Sequence, residues 1–267
     1  MTELIELKLP ETQHRLRPVA LDDLVRVGRA NDGGYVVARR MIEAADSVLA
    51  LGLYDDWSFE QALQTLKPEL RVDGYDHSIS RKHFARAAMV DTLRLLALRG
   101  TVAELMGRIA TVRSYDRFFS GANRHFPVKI TNRPSHDREA DLTTALDQLG
   151  GRHVLLKMDI EGSEYRVFEQ IVDNASRIVG VCLEFHDTEP FRAAFDQAIE
   201  RLLTKFAIAH VHPNNYGGVA PDGLPDVLEI TFVNRDLVDG SECRAQIHLP
   251  QLDQPNDVGR PELALVG

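Results

Sequence analysis

The chain has 267 residues, 44% hydrophobic and 27% charged, with 31 Lys/Arg against 40 Asp/Glu and a formal net charge of −9. That composition excludes disordered, collagen-like and low-complexity classes, and the acidic balance argues against a nucleic-acid partner. The two cysteines, Cys182 and Cys243, are too few for a disulfide framework and fit a reducing compartment.

No apolar run approaches the roughly 20 residues of a membrane helix. The first residues alternate charged and apolar types without a signal-peptide core, so the expectation is a cytoplasmic chain with no membrane partner. The length suits one domain spanning 1–267. Charge is uneven: residues 80–124 hold nine Lys/Arg against three Asp/Glu, and residues 220–267 hold three against nine. Two solvated faces explain this; so does a basic segment meeting an acidic substrate or the acidic tail of a second subunit, which leaves a homo-oligomer open.

An N-terminal lead-in is punctuated by Pro10, Pro18 and the turn Asn31-Asp-Gly-Gly34. Short apolar runs then predict seven strands, over 47–52, 70–75, 126–130, 153–158, 178–185, 206–211 and 227–233. Helical spacing follows the first, fourth and fifth of them, in Trp57 to Leu66, Tyr165 to Val172 and Phe191 to Leu203. Strands alternating with helices predict a mostly parallel sheet covered on both faces. Residues 80–124 read as a helical insertion with helices near 81–98 and 101–112, and 240–267 as a surface tail.

Ligands of such sheets bind beyond the carboxyl ends of the strands, near the switch in strand order. The first strand ends at Gly52, where the backbone can approach a ligand closely. A dinucleotide turn wants Gly-x-Gly-x-x-Gly, and Tyr54 stands in the second glycine's place. The second strand ends at Asp76, where an acid accepts hydrogen bonds from ribose hydroxyls, although a helix cap would also use it. Together Gly52 and Asp76 imply a cofactor that carries a nucleoside. The segment Asn31-Asp-Gly-Gly-Tyr35 is a turn in its own right, and its Asp32 and Gly33 could also cover that cofactor as a lid.

Lys157, Asp159 and Glu161 alternate along the fourth strand and share a face, as do Glu184 and His186 on the fifth and His210 and His212 on the sixth. Lys157, inside an apolar strand, needs an ionic partner. Single histidines are commonly structural. Three strand ends nevertheless converge with the pairs Asp159 and Glu161, Glu184 and His186, and His210 and His212, and carboxylates and imidazoles so placed could hold a divalent metal. The same groups could supply a general base without metal.

Lys157-Met-Asp-Ile-Glu-Gly-Ser-Glu-Tyr165 resembles the signature of FkbM-type S-adenosylmethionine-dependent methyltransferases. Segments 26–36, 51–60, 183–186, 212–218 and 225–232 resemble further blocks of that family, in order. The resemblance implies an α/β, Rossmann-like class I methyltransferase fold whose seven-stranded sheet has its last strand antiparallel. It also implies S-adenosylmethionine as cofactor and a hydroxyl of a sugar or natural product as the small-molecule acceptor. Gly52 would then be the cofactor-loop glycine, with Tyr54, Asp32 and Gly33 beside the cofactor and Asp76 on its ribose. Asp159, Glu184 and His186 would be catalytic and, with His212 as a fourth ligand, would hold a divalent metal such as Mg²⁺. An NAD-dependent oxidoreductase, a metal-dependent hydrolase and a non-catalytic module of the same fold are the competing readings.

Overall fold

A computed structural model describes residues 3–238, 244 and 246–267. Cys243 and the start of the tail at 240 lie outside the described residues. In chain order the elements are β1 (Leu4–Lys8), β2 (Leu24–Gly28), β3 (Gly34–Ala38), α1 (Arg39–Ala44), β4 (Ser47–Leu51), α2 (Ser58–Leu66), β5 (Arg71–Tyr75), α3 (Arg81–Leu96) and α4 (Val102–Phe118). There follow β6 (Arg124–Phe126), β7 (Lys129–Ile130), β8 (Glu139–Ala140), α5 (Leu142–Leu149), β9 (Val154–Met158), α6 (Glu164–Asp173), β10 (Ile178–Phe185), α7 (Arg192–Leu202), β11 (Phe206–Pro213), β12 (Leu228–Asn234) and β13 (Glu262–Val266).

Seven strands form one sheet in the order β11-β12-β10-β9-β4-β5-β6. Neighbours are parallel except that β12 runs antiparallel to both β10 and β11. This is the Rossmann-like sheet that the resemblance implies, with β12, the last of its strands in the chain, antiparallel. The order reverses between β4 and β9, so the crevice for a ligand lies beyond Leu51 and Met158.

The sheet is apolar on both faces because both are covered. Leu49, Leu51, Leu156 and Met158 pack into one core with α5, α6 and α7, while Val48, Ala50 and Leu155 pack into the other with α1 and α2. Alternate residues of one strand therefore serve opposite cores. The helices that cover the sheet turn apolar residues inward, as Val167, Phe168, Ile171 and Val172 do in α6. Local signals set the ends: the Asp141 carboxylate caps α5 by accepting from Thr144 N at 2.7 Å, and Thr101 with Glu104 forms a capping box on α4.

Three expectations are corrected. The strand expected over 126–130 breaks at Pro127, which has no N–H to continue the ladder. β6 stops at Phe126, and Lys129–Ile130 pairs instead with Glu139–Ala140. The lead-in is not merely connective: β2 and β3 form a hairpin, with β3 buried throughout. The tail does not simply lie on the surface. It ends in β13, which pairs in parallel with β1 and buries Leu263, Ala264 and Leu265. The expected helical insertion is the α3–α4 hairpin, whose buried residues are Phe84 and Phe118 near its base.

Candidate active site

Gly52 sits where β4 leaves the sheet. Its amide donates to Tyr75 O at 3.0 Å, and the Asp159 amide donates to Leu51 O at 2.9 Å. These bonds draw the end of β9 against the glycine. A Cβ there would lie 1.5 Å from the Asp159 carbonyl oxygen, and φ is +77°. Only glycine meets both conditions. Tyr54 is also left-handed, at φ +48°, with its ring exposed.

Asp76 anchors this loop. Its Oδ2 accepts from Leu53 N at 2.9 Å and Tyr54 N at 2.8 Å, and its Oδ1 accepts from Ser78 N at 2.7 Å and Ser78 Oγ at 2.6 Å. Burial raises its pKa, but these four donors outweigh it and hold the carboxyl below its ordinary value. A carboxylate offers about four acceptor positions, and all are in use.

The loop borders a cavity of about 770 Å³ that spans the switch point, a size suited to a small-molecule or cofactor site. Gly52, Tyr54, Asp76, Asp159, Glu184 and His186 line it, as do Asp32 and Gly33 from the β2–β3 turn. That turn is tied to the β4–α2 loop: Arg29 Nε lies 3.1 Å from Asp56 Oδ2, and a Cβ on Gly33 would come within 2.2 Å of the same oxygen. Ten carboxylates line the cavity against three Lys/Arg, so its potential favours cationic ligands.

At its floor Asp159, Glu184 and His186 each offer a ligand atom, and these atoms lie within 4.8 Å of one another. His186 Nε2 is 3.8 Å from Asp159 Oδ1, 3.8 Å from Glu184 Oε1 and 3.7 Å from Glu161 Oε2. On the ring's other side, Nδ1 is 3.2 Å from Oε1 of the fully buried Glu164. That oxygen also accepts from Ile160 N at 3.0 Å. A carboxylate on one ring nitrogen sets the tautomer and leaves the other free for a ligand. Asn214 Nδ2 donates to Glu184 Oε1 at 2.8 Å, and the Tyr165 hydroxyl donates to His186 O at 2.7 Å.

The crowding of negative charge is visible in proton affinities. Burial, then the nearby Asp159 carboxylate, pushes Glu184 up to about 8. Burial lowers the His186 pKa, but Glu164 and then Glu184 overcome this and raise it to about 9. Lys157 answers from within β9. Its Nζ donates to Gly52 O at 2.9 Å, lies 3.9 Å from Asp159 Oδ2, and sits 5.8 Å from the Tyr35 ring centroid. Burial alone would lower its pKa, yet Asp159 and Glu60 together hold it above its ordinary value.

His212 does not join this group. In register it faces Glu229, and Glu229 faces Glu184. Two strand spacings, roughly 10 Å, therefore separate His212 from the site. It is buried instead with its Nε2 3.2 Å from Asn256 Oδ1 and its Nδ1 3.8 Å from Glu262 Oε1. Near it Asp253 approaches His210 at 2.9 Å and His248 at 3.0 Å. Residue reasoning missed Glu164 and Asn214. Glu164 carried a signal as the acid in the first turn of an amphipathic helix beside Asp159. Asn214 carried one as the next residue, after His210 and His212, in that alternation.

Residues 112–211, which include Asp159, Glu184 and His186, match the methyltransferase FkbM domain. No curated protein matches this chain. Among solved structures, the chain is similar to a predicted O-methyltransferase from Agrobacterium tumefaciens at 13% identity, covering 84% of this chain and 96% of that one with a TM-score of 0.35. It is similar to precorrin-6y C5,15-methyltransferase from Geobacter metallireducens at 12% identity, covering 73% and 84% with a TM-score of 0.36. It is also similar to a fibrillarin pre-rRNA processing protein from Methanococcus jannaschii at 10% identity, covering 81% and 87% with a TM-score of 0.37. The matched segment, 112–211, contains the central signature Lys157–Tyr165 on which the resemblance to this family rests.

Proposed function

We propose that the protein is an S-adenosylmethionine-dependent O-methyltransferase whose acceptor is a hydroxyl of a small molecule, and that Asp159, Glu184 and His186 hold a divalent cation beside the acceptor. The observation that carries the reading is the placement of these three groups. They converge on the floor of the switch-point cavity, with His186 oriented from behind by Glu164. Two carboxylates and one imidazole suit Mg²⁺ or Mn²⁺.

When bound, the cofactor supplies an electrophilic sulfonium methyl and the cation lowers the pKa of a hydroxyl. The chain's own residues do the rest. Gly52 lets the backbone come close to the cofactor, and the acidic lining attracts its positive charge. Asp76 shapes the Leu53–Tyr54 amides that border it; a ribose hydroxyl bonds to Asp76 only in exchange for one of its four present donors. Asp32 and Gly33 line the same cavity from the β2–β3 turn. Glu164 keeps His186 Nε2 aimed inward, and Asn214 fixes Glu184. The exposed Glu161 carboxylate, 3.7 Å from His186 Nε2, is placed to take the hydroxyl proton out to water.

The test is release of S-adenosylhomocysteine with a panel of sugar and polyol acceptors, using the unsubstituted chain and Asp159→Ala. Turnover is expected to need both Asp159 and an added divalent ion. Full turnover in the variant, or in chelator-treated protein, removes the cation from the mechanism. Calorimetric binding of NAD but not of S-adenosylmethionine overturns the methyl-transfer reading as a whole.

A further inference from the structure

The α3–α4 hairpin takes no part in the site. Its buried residues, Phe84 and Phe118, pack around Trp57 at the base. From Phe84 to Leu96 the helix advances roughly 18 Å, so the far end stands well off the body. That end is apolar on more than one side. Met89, Leu93 and Leu96 follow one another along α3 at helical spacing, Val102 and Met106 along α4, and Leu98 occupies the connection. All six are exposed, Leu96 by 77% and Leu98 by 93%.

The charges are ordered along the same axis. The α3 line that ends in Met89, Leu93 and Leu96 begins at the base with Lys82 and Arg86, and the α4 line from Val102 and Met106 ends with Arg113 and Arg117. Arg99 stands at the tip. Arg81, Arg94, Arg108 and Arg124 are engaged with Asp116, Asp91 and Asp73. Among the described residues, no ion pair engages Lys82, Arg86, Arg99, Arg113 or Arg117.

We propose that this hairpin docks the protein on an anionic lipid surface, its apolar tip entering the interface and its cationic shank lying among the headgroups. The reasons are physical. A protein groove would take one apolar stripe, whereas a lipid interface accepts apolar side chains from two helices and their connection at once. Cations behind an apolar tip complement anionic headgroups, and Arg99 can reach up to them from the tip. The rest of the chain is strongly acidic, so a negative surface repels the body and attracts only the hairpin. The same charge disfavours a second copy at this place, because two cationic hairpins would oppose each other. The expectation of no membrane partner rested on the lack of a spanning helix, and among the described residues no helix is long and apolar enough to span; interfacial docking requires none.

This inference stands apart from methyl transfer and is tested without it. The full chain is pelleted with phosphatidylcholine vesicles, and with vesicles of equal parts phosphatidylcholine and phosphatidylglycerol. It should bind the anionic vesicles only, and less as salt rises. The triple variant Arg86→Gln, Arg113→Gln, Arg117→Gln should bind about a hundredfold more weakly. Leu96→Asp with Leu98→Asp should abolish binding while leaving the urea unfolding midpoint unchanged, which shows the variant folded. Absence of vesicle binding overturns the proposal. So does binding that survives both variants, or a chain that ignores vesicles and runs as a dimer which the leucine variant converts to monomer.

Discussion

Glu164→Gln tests the arrangement behind His186. Glu164 is fully buried, and its Oε1 serves two neighbours, Ile160 N at 3.0 Å and His186 Nδ1 at 3.2 Å. Glutamine has the same shape, and its amide oxygen can still accept from Ile160. The turn from Asp159 into α6 should therefore stand. What disappears is the negative charge that holds a proton on Nδ1 and raises the basicity of Nε2. Removing such a partner costs about ten- to a hundredfold in metal affinity, or about 1.4 to 2.7 kcal/mol. Mn²⁺ titration by calorimetry, on the chain without acceptor, reads this directly. S-adenosylhomocysteine affinity should stay constant, since Glu164 is not among the residues lining the cavity. Glu164→Ala should do worse on both counts, because it also frees Ile160 N and opens a void. If Glu164→Gln binds Mn²⁺ as tightly as the unsubstituted chain, His186 is not being held for a cation. The cluster is then an ion-pair network and no more.

Two further outcomes follow from geometry. Gly52→Ala must move the Asp159 carbonyl, which a Cβ would approach to 1.5 Å, and must hold alanine at φ +77°; a loss of about 3 kcal/mol in urea unfolding and loss of cofactor binding are expected, and wild-type affinity would refute the close approach. His212 is pushed down to about 4 by burial, against the opposing pull of Asp253. The folded state then binds fewer protons than the unfolded state as pH falls from about 6.5 to about 4. The stability associated with a neutral His212 is present above that window and lost within it. His212→Gln, which cannot charge, should gain on the parent by up to about 3 kcal/mol between pH 7 and 4. Parallel stability curves would show that His212 does not resist protonation. Glu262 works in the opposite sense: burial and Asp253 raise it to about 7, so its folded state holds the extra proton and its effect favours lower pH. The comparison therefore has to be between variant and parent.

Much of this architecture is legible because strand ends in an α/β sheet are marked twice, by the break in an apolar run and by the acid or glycine that follows. Gly52, Asp76, Asp159 and Glu184 all carry those marks. The two-residue period then groups Glu184 with His186 on one face, and the structure brings both beside Asp159. The same period cannot say which strands are neighbours. His212 has the right parity and the wrong distance, because β12 returns antiparallel and inserts between β10 and β11. Asn214, at the end of the same alternation, reaches Glu184 instead. The β1–β13 pair was equally out of reach, since its partners lie at opposite ends of the chain. The β2–β3 hairpin was not: a Gly-Gly turn followed by a run of apolar residues is a local signal, and β3 shows it in Gly34-Tyr-Val-Val-Ala38.

Asp76 shows where such inference stops even when the position is right. Spacing puts a carboxylate at the end of the second strand, and it lines the expected cavity. Spacing says nothing of the amides of Leu53 and Tyr54, which turn toward it only because Gly52 and Tyr54 adopt left-handed backbones. Once they do, those two donors and the two of Ser78 compete with any ribose for the same lone pairs. The role of a strand-end acid is therefore decided by the conformation of the loop beside it. In this chain that conformation traces back to a single steric fact, the closeness of the Asp159 carbonyl to Gly52. The Gly52 loop and the candidate metal floor are thus coupled through one backbone contact, and a change at either should be felt at the other.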